Sequence, residues 1–514
     1  MTVTLTGDPL SIDAVILVAR ARDEVVVGER VADRMAPARA LVDRLIEQRD
    51  VVYGITTGFG ALANMHIDAE RVEELQHSIV RSHAAGAGRP IDDEIVRAMM
   101  LLRARTLTAG HAGARLEVVE QIVRLLNARI TPVVPSHGSV GASGDLAPLA
   151  HCALPLIGEG TVSVDGREMP AADALASAGI QPLRLKAKEG LALVNGTEGM
   201  LAMAVLALRD LSMLLTVADI VAAMSVQALL ATDRPFAEAI HLLRQQPGQI
   251  RSARLIRGMC EGSPIIASHR STEHAVHDAY SLRCAPQVHG ACRATAQHAM
   301  RVVEVELASE VDNPIVLHES GQVESAGNFH GEPLAFALDF LAIAVSELAS
   351  IAERRTDRML DPAHSNGLPA FLVPDPGVNS GFMLAQYTQA SLVSECKRLA
   401  VPASVDSIPT SGTTEDHVSM GWDAGLKVRM ALEHATAVVA IEALCAAQAL
   451  DLRAPLRPSD ATMAVVAAIR ERVPRLEVDR PLSPDIAAAT TLVRDGTLLR
   501  AAETVLGPQP WQVP

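Results

Sequence analysis

The chain has 514 residues and a formal net charge of −15. Because its basic residues are scattered through an acidic chain, it lacks the basic patch by which proteins bind nucleic acid. Its length allows a large buried core, and since only 7 Phe, 3 Tyr and 2 Trp occur, we expect a core of aliphatic side chains on closely packed helices.

The N-terminal region, residues 1–195, is predicted to contain short helices separated by loops. Apolar residues recur at helical spacing in five segments, which are 12–20, 31–48, 69–82, 92–108 and 115–128. Ser11 has the side chain expected of an N-cap for the first of them. Residues 24–28 favour either a short strand or a link, and residues 160–168 favour a hairpin that turns at Asp165-Gly166.

A stretch of small residues, GSVGASGDL at 138–146, interrupts this region. Prolines on both sides and three glycines within it keep the backbone irregular and able to bend sharply. In such a bend the Gly144 nitrogen can attack the Ala142 carbonyl, and loss of water from the ring and from Ser143 leaves a conjugated exocyclic methylene. An ordinary turn is the alternative, whereas a P-loop and a Gly-x-Ser-x-Gly nucleophile elbow do not fit.

The second predicted region, residues 196–514, consists of long helices. Helical periodicity covers 199–232, 291–311, 333–359, 380–400 and 415–452, and a hairpin is expected at 315–325. Helices of this length are typical of a bundle that continues into partner subunits, so we predict a mainly α protein that forms a homo-oligomer. The most apolar run contains Arg209, Asp210 and Asp219, which are costly in lipid and therefore indicate a core helix.

Location and metal content are predicted from the termini, cysteines and histidines. Residues 1–15 lack the basic-then-apolar pattern of a secretory signal, and the six cysteines are dispersed without a Cys-x-x-Cys pair. We therefore expect a cytoplasmic protein with reduced thiols and no membrane association. His274 and His277 have a His-x-x-His spacing, but they lack paired cysteines or a His-Glu-x-x-His context, so no metal site is predicted.

Residues 138–151, GSVGASGDLAPLAH, resemble the prosthetic-group segment of the aromatic amino acid lyase family, which includes the histidine ammonia-lyases. The resemblance covers about residues 5–453, with the motifs in family order. It implies that Ala142, Ser143 and Gly144 cyclise unaided to 4-methylidene-imidazol-5-one (MIO), with no external cofactor and no metal. It also implies a homotetramer whose catalytic pockets combine several chains.

Two residues gain catalytic roles through the same resemblance. Tyr53, in YGITTGFG, matches the tyrosine that takes the β-proton of the substrate, and a tyrosine with a lowered pKa can serve as a base. Arg283, in YSLRC, matches the arginine that binds the substrate carboxylate, for which a guanidinium fork is well suited. Without the resemblance, Tyr53 is most simply a buried residue that anchors a turn, and Arg283 is most simply part of a surface salt bridge.

Further positions coincide with active-site residues of the family, and they are Asn195 in LALVNGT, Tyr280 in YSLRC, Gln287 in PQV, Asn313 in DNP and Phe329 in GNFH. The resemblance implies that Asn195 and Tyr280 hydrogen-bond and tune the prosthetic ring. Asn313 and Phe329 have a turn and a packing role as alternatives.

The choice of substrate is addressed by His83 and Glu415. Ser82-His83 resembles the selectivity pair of the histidine lyases, and Glu415, in SIPTSGTTEDHVSM, matches the acid that faces the substrate imidazole. A neutral histidine and a carboxylate can bind both imidazole nitrogens, whereas a structural histidine and a helix-capping acid are the alternatives. His277, a further candidate for substrate binding, stands where the family usually has glutamine, and Gly412-Thr413-Thr414 also departs from the family pattern.

These residues predict an ammonia-lyase that converts L-histidine to trans-urocanate and ammonia. In the predicted reaction the substrate amine adds to the methylene, Tyr53 removes the β-proton, and Arg283 with Asn195 holds the remainder. The alternatives are an ammonia-lyase for another aromatic amino acid, a 2,3-aminomutase with the same prosthetic group, and a catalytically inactive helical scaffold.

Overall fold

The computed structural model describes residues 2–270 and 277–509 and is mainly α-helical, as predicted. The helices of the first 200 residues are α1 (Ile12–Ile16), α2 (Val31–Glu47), α3 (Val72–His83), α4 (Asp93–Thr108), α5 (Leu116–Asn127), α6 (Leu146–Ala153), α7 (Ala171–Ser177), α8 (Glu189–Val194) and the first part of α9 (Glu198–Ala228). Those that follow are α10 (Glu238–Arg244), α11 (Pro247–Cys260), α12 (Pro264–Ser268), α13 (Tyr280–Arg283), α14 (Ala285–Ala308), α15 (Glu332–Leu360), α16 (Met383–Leu399), α17 (Gly421–Leu452), α18 (Asp460–Arg470), α19 (Ser483–Arg494) and α20 (Thr497–Leu506). A π-helical turn, Leu17–Ala21, continues α1.

The helices follow from the apolar periodicity and from capping side chains. Ser11 Oγ accepts a hydrogen bond from the Ala14 amide at 3.1 Å, which confirms the predicted N-cap. In α5 the buried positions include Val118, Ile122 and Leu125, whose spacing places them on one face. The five predicted N-terminal helices are confirmed within a few residues of their predicted bounds.

Two long helices begin at other residues than predicted. Helix α14 begins at Ala285 rather than at 291, and α17 begins at Gly421 rather than at Glu415. Met420, the residue directly before α17, has φ +54°, and such backbone does not continue a right-handed helix. Helix α17 therefore does not reach back to Glu415, and the helix-capping role given as the alternative for Glu415 is wrong.

The strands form small sheets at the edges of helical structure. Parallel strands β1 (Thr2–Leu5) and β2 (Glu24–Val27) pair Thr2 with Glu24, so the strand interpretation of residues 24–28 is confirmed. The other strands are β3 (Ala87–Pro90), β4 (Ile130–Pro132), β5 (Pro135–His137), β6 (Thr161–Val164), β7 (Arg167–Pro170), β8 (Ile315–Leu317) and β9 (Gln322–Glu324). Both predicted hairpins are present, as antiparallel β6–β7 and β8–β9. Strand β4 extends the first hairpin, and β3 pairs with β5.

The described chain divides into two compact units, each built from three segments. The first unit contains residues 1–206, 301–338 and 402–426, and the second contains 207–300, 339–401 and 427–514. This differs from the predicted boundary after Asn195. Four of its five boundaries fall inside α9, α14, α15 and α17, where neither periodicity nor composition changes in the sequence. The fifth, between residues 401 and 402, lies in the loop after α16.

Within the described residues, three helical spans are long and apolar enough to cross a membrane by length and composition: Glu189–Ala228, Glu332–Leu360 and Gly421–Leu452. Their most apolar windows are 83%, 67% and 78% buried within the protein. The burial of the first span agrees with the core helix predicted for 200–231. Helix α15 still exposes Phe336, Phe340 and Ile343.

One part of the core lies directly behind the loop that carries Tyr53. Val316 of β8 packs with Ala38, Leu41 and Val42 of α2 and with Ile55. Burying such aliphatic side chains stabilises the fold by about 1.5–3 kcal/mol each. The β8–β9 hairpin and the Tyr53 loop are therefore held against the same helix.

Candidate active site

The first unit contains a cavity of about 740 Å³. Eight of the residues predicted from the sequence line it, and they are Tyr53, His83, Ala142, Ser143, Asn195, Asn313, Phe329 and Glu415. They come from loops and helix ends that are up to several hundred residues apart in the chain. The cavity therefore brings together most of the predicted site.

The Ala142-Ser143-Gly144 loop is fixed by contacts to distant backbone. Gly144 has φ +75°, and a Cβ there would collide with the Gly196 carbonyl oxygen. Gly141 has φ +67°, its carbonyl accepts a hydrogen bond from Ser419 Oγ at 2.9 Å, and a Cβ there would collide with that hydroxyl. Ala142 is buried and Ser143 half-buried on the cavity wall. Glycine is required at both positions, because any side chain would displace the loop.

Asp145 connects this loop to the N-terminus of α9. Its Oδ2 accepts hydrogen bonds from the amides of Gly199 and Met200, both at 2.9 Å, and its Oδ1 accepts from Ser139 Oγ at 3.0 Å. These amides are among those that an α-helix leaves without internal partners. Burial raises the pKa of the Asp145 carboxyl from 3.8 to about 7, against the lowering effect of the hydrogen bonds. The Asp145 carboxyl thus holds the C-terminal end of the loop against the start of α9.

Tyr53 lies on a loop shaped by glycines. Gly54 has φ +67° and sits against Leu191, and Gly60 has φ +55° and sits against Ser411. The Gly60 amide donates to Tyr53 Oη at 3.2 Å, which holds the phenol oxygen in place. Tyr53 is half-buried, so its ring is anchored while one side faces the cavity.

His83 is the last residue of α3 and presents a neutral imidazole to the cavity. Its Nδ1 donates to the Ile79 carbonyl at 2.9 Å, which leaves Nε2 as a free acceptor. Burial lowers the pKa of His83, while the negative charge of Glu415 acts in the opposite direction. The His83 ring also packs against Phe59, with ring centroids 5.3 Å apart.

Glu415 is positioned by an irregular turn. Its Oε2 accepts a hydrogen bond from Thr410 Oγ1 at 2.6 Å, and the Thr410 amide donates to its carbonyl at 2.9 Å. Glu415 lines the cavity, so its carboxylate can contact a bound ligand. His83 and Glu415 thus supply an imidazole acceptor and a carboxylate to the same wall.

Asn195 follows α8 and is 3% exposed. Its carbonyl accepts from Arg103 Nη1 at 3.0 Å, and the same nitrogen lies 2.8 Å from Glu198 Oε1 in a buried ion pair. The side-chain Oδ1 of Asn195 is buried and has no hydrogen-bond partner among residues 2–270 and 277–509. Since a buried acceptor without a donor is costly, this atom points to a bound group at the cavity.

Asn313 and Phe329 lie on either side of the β8–β9 hairpin. Asn313 Oδ1 accepts from the Ala326 amide at 2.9 Å, which ties the two ends of the hairpin together. The preceding Asp312 forms a fully buried ion pair with Lys188 at 2.7 Å. Burial lowers the pKa of Lys188, and the charge of Asp312 opposes that change. The turn role proposed as an alternative for Asn313 is thus real and compatible with its place on the cavity wall.

Five predicted residues are not among those that line this cavity: Gly144, His277, Tyr280, Arg283 and Gln287. Gly144 directly follows Ser143 in the first unit, and the other four belong to the second unit. The Tyr280 ring is 70% exposed and covers the Arg283 guanidinium, with Cζ 4.6 Å from the ring centroid. His277 is exposed, and His274, the other member of its His-x-x-His pair, lies outside the described residues.

The structure adds cavity residues that sequence reasoning missed. His330 and His417 line the cavity with stacked rings 5.8 Å apart, and Leu146 and Leu191 contribute apolar surface. Both histidines stand beside predicted residues, in GNFH and TEDH, so the motifs themselves contained the signal. Gly412 and Thr414, where the sequence departs from the family pattern, also line the cavity.

The cavity can bind a polar ring and move a proton. It combines a phenol, a neutral imidazole and a carboxylate with a strained loop that contains Ser143. Among the described residues that line it, none is Arg or Lys, so this wall supplies no cationic partner for a substrate carboxylate. Such a partner has to come from residues outside the lining set.

Comparisons with known proteins agree over nearly the whole chain. The family model "Aromatic amino acid lyase" matches residues 10–471. A histidine ammonia-lyase of Streptomyces avermitilis is 53% identical over 509 residues, covering 99% of both chains. Among solved structures, histidine ammonia-lyase from Trypanosoma cruzi has a TM-score of 0.91 at 38% identity and covers 100% of this chain and 97% of its own. Tyrosine aminomutase from Streptomyces globisporus has a TM-score of 0.94 at 38% identity, with coverage of 99% and 100%.

Proposed function

This chain belongs to the aromatic amino acid lyase family and is a carbon–nitrogen lyase, and on that premise we propose that it deaminates L-histidine to trans-urocanate and ammonia. The observation that carries the choice of histidine is the neutral His83 imidazole on the same cavity wall as the Glu415 carboxylate. His83 offers a hydrogen-bond acceptor and Glu415 a negative charge, and together they can bind the two nitrogens of a substrate imidazole.

We propose that Ala142, Ser143 and Gly144 form MIO and that no external cofactor takes part. The residues fit this group because close backbone contacts hold the tripeptide in a sharp bend and Ser143 lies on the cavity wall. The buried Asn195 Oδ1, an acceptor without a partner in the described chain, can accept a hydrogen bond from the substrate amine. When present, the group supplies an electrophilic carbon that makes the substrate nitrogen a better leaving group. Asn195 and Ser143 would therefore lie at the nitrogen end of the substrate.

Tyr53 is proposed to take the β-proton of the substrate. Its oxygen is held by the Gly60 amide within a cavity that also contains the tripeptide, so an amino acid bound there has its β-carbon within reach of both. A positioned base contributes about 10²–10⁴-fold to such a step. Phe329, half-buried on the same wall, excludes water from the reacting carbons.

The substrate carboxylate is proposed to bind Arg283 of another copy. The lining residues described above include no Arg or Lys, and Arg283 lies in the second unit beside the exposed Tyr280 ring. A guanidinium binds a carboxylate through two parallel hydrogen bonds. We propose a cytoplasmic homotetramer in which Tyr280, Arg283, Gln287 and His277 of one chain complete the cavity of another.

Turnover of L-histidine, L-phenylalanine and L-tyrosine by the wild-type protein tests the proposal. We expect ammonia and the ultraviolet absorption of urocanate from histidine only. In His83→Leu, kcat/KM for histidine should fall by about 10–200-fold, as for the loss of one specific side-chain contact. Equal turnover of phenylalanine and histidine by the wild-type protein would contradict the proposed substrate.

A 2,3-aminomutase is the second candidate, because the tyrosine aminomutase structure is as similar as that of a lyase. A mutase would return ammonia to the β-carbon and give a β-amino acid. Chromatography of the products separates the two reactions, and accumulation of β-histidine with little free ammonia would favour the mutase.

A further inference from the structure

A cluster of histidines and glutamates lies away from the cavity lining, where two segments of the first unit meet. His111 follows α4, and His318 and Glu319 occupy the turn of the β8–β9 hairpin. The Val316 amide donates to the His111 carbonyl at 2.9 Å, so the backbone itself holds the hairpin against this segment. The cluster is thus built on fixed elements rather than on free loops.

The hydrogen bond to Glu310 determines which nitrogen of His111 is available. His111 Nδ1 lies 2.6 Å from Glu310 Oε2, and since a carboxylate only accepts, the proton is on Nδ1. The Nε2 lone pair of a neutral His111 then faces Glu319 Oε1 at 3.9 Å. A metal ion between these two acceptors would satisfy both of them, as would a proton on Nε2.

The remaining distances suit a metal ion. His318 Nε2 lies 3.3 Å from the same Glu319 oxygen, and the ligand atoms of His111, His318 and Glu319 all fall within 4.8 Å of one another. In a tetrahedral zinc site with ligands at about 2.0–2.2 Å, ligand atoms are roughly 3.3–3.5 Å apart. One pair already has this spacing, and the others reach it by small side-chain rotations at residues that are partly exposed.

We propose that His111, His318 and Glu319 bind a zinc ion, with Glu310 orienting His111 from outside the coordination sphere. Two imidazoles and one carboxylate favour zinc over magnesium or calcium, which prefer oxygen ligands. A carboxylate that holds the second nitrogen of a ligating histidine is the usual support of such a site. With the histidines neutral, the two glutamates also balance the charge of a dication.

The ion would stabilise the β8–β9 hairpin, whose ends form one wall of the cavity. The hairpin that carries His318 runs from Asn313 to Ser325 and Ala326, all of which line the cavity. A zinc ion would tie its turn to the segment after α4 and so restrict movement of this wall. The inference concerns binding and stability and does not depend on the identity of the substrate.

Zinc titration of the full-length, chelator-treated protein tests the site, with a competing fluorescent chelator as the reporter. His318→Ala and Glu319→Gln should each lose one equivalent of zinc per chain relative to wild type, and Glu310→Gln should bind this equivalent about 10–100-fold more weakly. His364→Ala is the matched control, because His364 pairs with a carboxylate, Asp361, at 2.6 Å but does not belong to the cluster of His111, His318 and Glu319. It should bind as wild type does.

Two further measurements identify the ligands and guard against a folding defect. Cobalt(II) in place of zinc should give visible absorption of a tetrahedral site in wild type and not in His318→Ala. Zinc should raise the Tm of wild type and leave the Tm of His318→Ala unchanged, with both proteins equally helical by circular dichroism. Equal zinc stoichiometry and affinity in wild type and His318→Ala would overturn the proposal in favour of an imidazolium held between two carboxylates.

Discussion

Ser143 is the residue on which the proposed chemistry depends most directly. Replacing it by alanine removes the hydroxyl that leaves as water, so Ser143→Ala should lose turnover by at least 10³-fold, an order set by loss of covalent catalysis. Intact-protein mass spectrometry should find the wild-type chain lighter than its sequence by two waters and the variant without this deficit. A variant with near-normal activity, or a wild-type chain of full mass, would contradict the proposed prosthetic group.

Asp145 should make stability depend on pH in a defined window. Its folded-state pKa, about 7, is above the unfolded value of 3.8, so the folded chain keeps a proton that the unfolded chain releases. The stabilisation from this proton is complete below about pH 4 and is lost as the pH rises to about 7. The change is about 4 kcal/mol at most, at roughly 1.4 kcal/mol per pKa unit.

Urea unfolding at pH 5 and pH 8 measures this effect. We expect the free energy of unfolding of wild type to fall between these values by more than that of Asp145→Asn, which cannot titrate. Asp93→Asn, a half-buried acid in the first turn of α4, serves as the control and should follow wild type. Parallel curves for wild type and Asp145→Asn would show that the carboxyl is ionised throughout.

At the scale of single residues, the sequence motifs predicted most of the cavity lining but not the contacts that hold those residues in place. The resemblance to the lyase family selects Tyr53, His83, Asn195 and Glu415 by their neighbours in the sequence, and all four line the cavity. The hydrogen bonds of Asp145 to α9 and the approach of His111 to His318 join residues that are far apart in the chain. No local pattern encodes such pairs.

At the level of elements, the loop that carries the tripeptide depends on glycines that no other residue can replace. Gly141→Ala would place a methyl group on Ser419 Oγ and force a residue with positive φ, which alone costs about 1–2 kcal/mol. Gly166→Ala in the β6–β7 turn has φ +82° but no atom within 4 Å of the added carbon, so it isolates the backbone cost.

We therefore expect Gly141→Ala to lower the free energy of unfolding by about 1–3 kcal/mol more than Gly166→Ala, the size of an overpacking defect. Only Gly141→Ala should lower activity, because it moves Ala142 and Ser143. Chemical denaturation and turnover assays on both variants measure this difference. Equal losses of stability in the two proteins would show that Ser419 moves aside without cost.

The existence of the helices was predictable, whereas their ends depend on tertiary structure. Periodicity extended α17 back to Glu415, but the turn at Ser411 to Thr413 places that residue against the cavity instead. Helix α14 begins earlier than predicted because Pro286 stands in its first turn, a position that proline tolerates well. Local propensity therefore located the elements, and long-range contacts set their ends.

At the scale of the whole molecule, completion of the cavity by another copy can be tested by mixing inactive variants. Tyr53→Phe and Arg283→Ala should each have little activity alone. When the two are denatured together and refolded, some cavities receive Tyr53 from one chain and Arg283 from another, so activity should return. Refolding each variant separately is the control, and absence of recovery in the mixture would place both residues in the pocket of a single chain.

The division into units was not predictable from the sequence. Four of its five boundaries lie within helices whose composition does not change, and only the one between residues 401 and 402 lies in a loop. The mainly α class, by contrast, follows from the long apolar repeats and the scarcity of aromatic residues. Composition thus predicts a mainly α fold, whereas the two compact units are recognised only from the contacts in the folded structure.

The hydrogen bond between Ser419 and Gly141 spans 278 residues of chain. During synthesis the tripeptide leaves the ribosome long before Ser419, and until that serine arrives the bend is held only in part. The bend in which we propose that MIO forms is therefore complete only after Ser419 has been synthesised and has packed against Gly141. A chain truncated before Ser419 should consequently cyclise more slowly than the full-length chain.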